Sequence, residues 1–194
     1  NKSFSYCSSL TKIIIPPSVA SIGDSTFYNC SSLKEISIPS SVKTIEKNAF
    51  QGIRAITING DIEQIPDQSF KNCESLTTFI INTTSLTSIG SSAFEGCSSL
   101  TEIIIPSSIQ KIGKNSFLGV TSLTIDGDIQ HILNESFKNC VSLKKLVIKS
   151  NSLISIKSSA FEGCSSLSEI TVPESLQTIE NDAFKGVKDL VING

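Results

Sequence analysis

The chain has 194 residues, 39 % of them hydrophobic, and a formal net charge of -2. That is enough apolar material for a core, and Lys interspersed with Asp and Glu excludes the basic stripe of a nucleic-acid binder. No apolar run nears the ~18 residues of a membrane span, and Asn1 to Leu10 reads as polar repeat sequence rather than a signal peptide.

Taken in order, the chain is one phrase repeated. Phenylalanine sets the register at Phe4, Phe27, Phe50, Phe70, Phe94, Phe117, Phe137, Phe161 and Phe184, with gaps of 20, 23 or 24 residues. Self-similarity at such a period signals a stacked repeat architecture. A longer cycle is nested in it, because Phe27, Phe94 and Phe161 lie 67 residues apart. SSAFEGCSSLTEIIIP, from Ser91 to Pro106, returns as SSAFEGCSSLSEITVP, from Ser158 to Pro173. A duplicated block of three units accounts for both.

The second unit shows the phrase as Phe27, Cys30, Leu33, Ile36, Ile38, Pro39, Val42, Ile45 and Ala49. Its F-x-x-C-x-x-L part has the spacing of a 3₁₀ turn or a short, poorly formed helix. Its I-x-I part alternates with period 2 and is β-branched, which predicts a short strand. Proline, with no N–H to extend the strand, ends it at Pro16, Pro39, Pro106 and Pro173. Parallel strands are expected near residues 34–38, 55–58, 78–81, 101–105, 122–125, 145–148 and 168–172. The V-x-x-I part is predicted to return along the other side as an extended or turn segment. Stacked units would place Phe on Phe and Ile on Ile, with the nine register phenylalanines in one buried ladder.

After Phe50, Phe117 and Phe184 the unit is three residues shorter. The strands of the first two end in turn sequence, Asn59 to Asp61 and Asp126 to Asp128. Such narrow rungs are expected to modulate curvature. No linker interrupts the series, so a single domain over 1–194, of about nine units of 20–24 residues, is expected as a piece of a longer array. Its first and last units lack a recognisable cap, which predicts fraying or association at the ends.

Ala93 to Gly113, AFEGCSSLTEIIIPSSIQKIG, resembles the recurring unit of the BspA-like, or Treponema pallidum-type, leucine-rich repeat. The likeness covers essentially the whole chain. The family's I-G step stands at Ile22-Gly23, Ile89-Gly90 and Ile112-Gly113, whereas Glu46, Lys157 and Glu180 replace the glycine. The 20-residue units depart further, lacking the family's Cys and the proline that follows the strand. The resemblance implies an α/β fold class, a right-handed curved leucine-rich-repeat solenoid with a parallel β-sheet on its concave face. It also implies a secreted or cell-surface protein of bacteria or mucosal protozoa that adheres to host matrix proteins or to other cells.

Cys7, Cys30, Cys73, Cys97, Cys140 and Cys164 each lie three residues after the register Phe, where Ile53, Val120 and Val187 stand in other units. A slot shared by Cys, Ile and Val is a small apolar core position. No C-x-x-C pair offers metal ligation, and side chains stacked in parallel suit disulfide geometry poorly. Six reduced, inaccessible thiols are expected, with rung-to-rung disulfides as the alternative. His131, the only histidine, has no acid or nucleophile beside it by motif and is expected on the solvated surface. Asp126-Gly127-Asp128 lacks the further ligands of a calcium loop and is expected to be a turn. Sequons at Asn1, Asn29, Asn82 and Asn134 matter only in a glycosylating pathway. With no nucleophile elbow, phosphate-cradling glycine loop or metal constellation, no catalytic residue, cofactor or metal is predicted.

The outward strand positions are where a functional surface belongs. Ile14, Ile80, Ile104 and Val147 are apolar there, unlike the polar outward alternation of a water-facing sheet. Exposed apolar patches mark interfaces, and plain β-propensity also accounts for branched residues in any strand. The candidate protein-binding set is Ile80, Glu102, Ile104, Lys145 and Val147, an apolar centre with opposite charges at its rim. The leading reading is a non-enzymatic protein-binding module, a cell-surface adhesin or antigen. Its partner would be a host extracellular-matrix or cell-surface protein, with no nucleic acid and no direct membrane insertion. A structural spacer projecting another domain is the alternative.

Overall fold

A computed structural model describes residues 2–46, 48–106, 108–127 and 129–193, with Asp126 described by its backbone alone. Asn1 and Asp128, named above, lie outside the described residues. Among the described residues seventeen strands alternate along the chain. The odd-numbered ones are β1 (Lys12–Ile14), β3 (Glu35–Ser37), β5 (Ala55–Asn59), β7 (Thr78–Asn82), β9 (Glu102–Ile104), β11 (Ser122–Asp126), β13 (Lys145–Ile148), β15 (Glu169–Thr171) and β17 (Val191–Asn193). Between them lie two-residue strands: β2 (Ser21–Ile22), β4 (Thr44–Ile45), β6 (Gln64–Ile65), β8 (Ser88–Ile89), β10 (Lys111–Ile112), β12 (His131–Ile132), β14 (Ser155–Ile156) and β16 (Thr178–Ile179). Each coil of the solenoid runs from an odd strand through an even strand to a phenylalanine turn. The odd strands join into one nine-stranded parallel sheet in chain order.

The expectation of an α/β class is corrected by the turns. Among the described residues no helix occurs. The residues two before and two after the register Phe have positive φ, as at Ser25 (53°) and Asn29 (55°) around Phe27, or Gln68 (58°) and Asn72 (60°) around Phe70. A right-handed helix cannot run through residues in the left-handed region. The turn instead alternates its bonds: Cys30 N–H donates back to Phe27 O at 3.1 Å, whereas Phe27 N–H donates forward to Ala49 O of the next coil at 2.8 Å. The backbone that a helix would satisfy internally is satisfied between coils.

Inside, the phenylalanine rings stack with centroids 5.0 to 5.6 Å apart. Phe79, the first inward residue of β7, wedges edge-on against Phe70 (4.7 Å) and Phe94 (4.8 Å). Seven register rings, from Phe27 to Phe161, are buried. Phe4 is 39 % exposed and Phe184 only partly buried, so the expected nine-ring buried ladder is seven rings long with open ends. Each of these two rings has a described coil on one side only.

Pairing along the sheet stays in step until a short unit arrives. Ile13 pairs with Ile36, and Ile56 and Ile58 pair with Phe79 and Ile81. Ile36, however, pairs with Ile58 rather than Ile56, and Ile103 with Ile125 rather than Leu123. The short unit starts its strand three residues sooner after its Phe, so its second inward residue arrives where the first would have been. A slip of two keeps inward residues inward, because side-chain direction has period 2. An odd slip would have turned Thr57 and Thr124 into the core.

Behind the sheet the same boundaries are left open. The even strands form three separate sheets, β2-β4, β6-β8-β10 and β12-β14-β16. The coils thus fall into three blocks, β1–β4, β5–β10 and β11–β17, that share one front sheet.

Candidate functional site

The candidate site is the outer face of the nine-stranded sheet. Parallel sheets usually have both faces covered. Here the inner face holds the core, and no described element covers the outer one. Strand alternation decides which side chains stand there. Ile103 on β9 and Phe79 on β7 are fully buried, while their neighbours Glu102, Ile104, Thr78 and Ile80 are half-exposed.

The register slip regroups the five candidate residues. Thr78 pairs with Glu102, Glu102 with Thr124, Thr124 with Val147 and Val147 with Thr171. Val147 therefore lies in the row of Glu102. Ile80 and Ile104 lie together one step further along β7 and β9, and that row continues to the backbone of Asp126. Spacing alone puts Ile104 and Val147 in line; the three-residue shortening after Phe117 was the signal that they are not.

Charges on this face are mostly consumed. Lys12 meets Glu35 at 2.7 Å, and Lys145 meets Glu169 at 2.9 Å. Lys145 is thus held by its neighbour on β15 rather than standing as a free counterpart to Glu102. Glu102 makes no ion pair among the described residues and sits between the hydroxyl side chains of Thr78 and Thr124. A half-exposed carboxylate beside Ile80 and Ile104 can accept hydrogen bonds from a cationic or amide donor while apolar area is buried beside it.

The other residues singled out resolve as parts of the stack. All six cysteines are free thiols and five are buried, whereas Cys7 is exposed, against the expectation of six inaccessible thiols. Cys7 belongs to the first described coil, against whose outer side no described coil stacks. Burial pushes the Cys97 thiol up to about 12 and the Cys164 thiol up to about 11. The buried thiols of Cys30, Cys97 and Cys164 donate to the carbonyls of Phe4, Phe70 and Phe137 in the preceding coils, each at 3.0 Å. His131 is half-buried rather than fully solvated, with Nδ1 2.8 Å from the Ser155 hydroxyl on the neighbouring coil. Among the described residues no three His, Cys, Asp or Glu side chains gather as a metal site requires. Asn82 and Asn134 are exposed, while Asn29 is half-buried.

No curated protein matches this chain. Among solved structures, a leucine rich cell surface protein of Faecalibacterium prausnitzii is 25 % identical, over 94 % of this chain and 72 % of its own, with a TM-score of 0.39. The T. pallidum leucine rich repeat protein is also 25 % identical, over 94 % of this chain and 68 % of its own, with a TM-score of 0.42. A TLR13–ssRNA13 complex is 18 % identical over 93 % of this chain and 27 % of its own; its TM-score of 0.55 marks a likeness of fold alone. The family model described as "BspA type Leucine rich repeat region" matches in six copies, over residues 1–124 and 87–191. Parallel strands, buried phenylalanine turns and those six copies agree, and the chain belongs to the BspA-type leucine-rich repeat family.

Proposed function

We propose that the chain is a non-enzymatic protein-binding module whose partner lies on the outer face of the nine-stranded sheet. The observation that carries this is the uncovered parallel sheet, with Ile80 and Ile104 side by side and, next to them, Glu102, which makes no ion pair among the described residues. Interfaces concentrate their energy in such apolar anchors with a polar surround. Membership of the leucine-rich repeat family supports an interaction role. In this reading the array is one domain, a right-handed solenoid with this sheet on its concave side. It works at the cell surface as an adhesin or antigen toward host matrix or cell-surface proteins. Pull-down against purified matrix proteins tests it, with Ile104→Glu as the partner-blind control. A captured protein should lose at least ~2 kcal/mol of affinity for the variant. Equal binding by the folded variant would move the contact off this face, and capture of no matrix or cell-surface protein would favour a spacer.

A further inference from the structure

We infer that the solenoid bends at two built-in planes, opening on the side away from the nine-stranded sheet while the sheet stays paired. The first plane separates β4 and the Phe50 turn from β6 and the Phe70 turn. The second separates β10 and the Phe117 turn from β12 and the Phe137 turn. This goes beyond what the outer face binds.

Within blocks, the turns are joined by forward bonds such as Phe27 N–H to Ala49 O (2.8 Å), Phe94 N–H to Ser116 O (2.9 Å) and Phe161 N–H to Ala183 O (2.7 Å). Among the described residues, Phe50, Gly52, Phe117 and Gly119 lack the equivalent bonds. The even strands show the same gap. Gly90 donates to Ile65 O and Lys157 to Ile132 O, but Pro66 has no N–H and Leu133 N–H has no such partner. Proline is therefore not the common cause; the shortened unit is. The thiol bonds follow suit, since Cys73 and Cys140, just past the planes, lack the carbonyl partner that Cys97 and Cys164 have. Ion pairs between described residues lie within blocks: Lys12–Glu35 in the first, Lys71–Glu95 in the second, Lys138–Glu162, Lys145–Glu169 and Lys157–Glu180 in the third. The rings tilt most at these planes, by 22° for Phe50–Phe70 and 19° for Phe117–Phe137, against 4° to 14° elsewhere. Clefts of about 370 Å³ and 510 Å³ open there, beside Pro66 and Leu133 respectively.

Among the described residues only the front sheet bridges each plane on the backbone, through bonds such as Thr57 N–H to Lys34 O (2.8 Å) and Ile38 N–H to Asn59 O (2.8 Å) at the first and Thr124 N–H to Thr101 O (2.9 Å) at the second. Stability is distributed unevenly in such a structure, and the least bonded interface opens first. Bending at the second plane moves Ile80, Glu102 and Ile104 as one unit against Lys145 and Val147, which ride on the third block.

The test is a pair of matched spin-label distances in a Cys7→Ser background. Thr87→Cys with Gln130→Cys spans two coils across the second plane; Gln130→Cys with Gln177→Cys spans two coils inside the third block. All three positions are exposed and precede equivalent strands. The cross-plane pair should give a clearly broader distance distribution, and equal widths would overturn the inference. Inserting Ser-Ser-Leu between Val120 and Thr121 restores the full-length unit and should narrow the cross-plane width to the in-block value. Undiminished width in that folded variant would overturn the assignment of the opening to the short unit.

Discussion

The front sheet and the strips behind it meet the same two irregular coils and answer differently. In the sheet, Ile36 moves onto Ile58 and Ile103 onto Ile125, a slip of two residues that preserves both hydrogen bonding and burial. In the strips, β4 does not pair with β6, nor β10 with β12. A strand can absorb a missing residue pair because its pattern repeats every two residues. A turn held by positive φ at two fixed positions has no second register to adopt. The lesson is that repeat length is buffered by the sheet and paid out as a gap elsewhere.

The largest effects should come from the shared core. Ile103→Glu places a carboxylate at a position with 0 % exposure and should abolish cooperative folding, as seen by circular dichroism. Ile104→Glu, one residue along on the outer face, should change stability by no more than about 1 kcal/mol. Similar losses for both would mean that the outer face is structurally buried and the front sheet is not what it is described as. Phe94→Ala, in the middle of the second block, should cost ~3–5 kcal/mol. If the planes are weak interfaces, its urea unfolding should separate into steps, because a stacked array melts at its poorest junctions. A single sharp transition in that variant would erase the distinction between block and plane.

Much of this was legible beforehand. The seven expected strands all occur, since I-x-I alternation and a following proline are local signals; β3 stops at Ser37, two residues before Pro39. The phenylalanine ladder followed from one-residue-per-unit spacing. The absence of helix was harder to see. Asn29 and Asn72 advertise a left-handed turn, but Gln68 and Glu135 hold positive φ with no such signature, because neighbouring coils impose it. The regrouping of Val147 with Glu102 was hidden for a different reason. Unit length says that three residues are missing, and only the pairing says where the slack is taken up. His131 is half-buried rather than fully solvated because its partner Ser155, 24 residues away in sequence, is adjacent only in the stack.

Alkaline pH should probe the two kinds of junction next. Burial raises the thiols of Cys30, Cys73, Cys97, Cys140 and Cys164 above the ordinary value of 9.0. A group that holds its proton more tightly when folded contributes stability that is complete below pH 9 and lost as pH rises toward the folded value. Under reducing conditions the melting temperature should therefore fall between pH 9 and about 11, the value for Cys164. A flat profile would mean that the thiols are accessible or unshifted. Cys97→Ala and Cys140→Ala should each blunt the fall.

Gly60 offers a smaller perturbation, aimed at the first plane. Its φ is 118°, and a Cβ there would stand 2.5 Å from the Ile38 carbonyl oxygen of the preceding coil. Gly60→Ala therefore combines a disfavoured backbone with a clash across the plane, a cost of ~1–3 kcal/mol. Hydrogen exchange should show the loss concentrated in the β1–β4 block and the strands of the second block left protected. Uniform loss over both blocks would argue that the front sheet transmits strain as well as it transmits pairing.

Acid should give the smallest effect, because it acts on exposed ion pairs that contribute little individually. Hydrogen bonds from Ser92 and then Lys71 hold the Glu95 carboxyl below its ordinary 4.5; Ser159 and Lys138 do the same for Glu162, and Lys157 with Ser158 for Glu180. A depressed carboxyl contributes stability that is present above pH 4.5 and lost as pH falls through its folded value. The lysine contacts, and that of Ser158 with Glu180, join coils inside the second and third blocks, whereas Ser92 and Ser159 act within a single turn. Protonating them should loosen in-block junctions and leave the planes as they are. The Gln130–Gln177 label pair should then broaden toward the width of the Thr87–Gln130 pair as pH drops below 4.5, with the latter nearly constant. High salt at neutral pH should reproduce part of that change by screening. Equal broadening of both pairs would show that side-chain ion pairs between coils are not what separates block from plane, leaving the missing backbone bonds and the unjoined even strands as the physical difference.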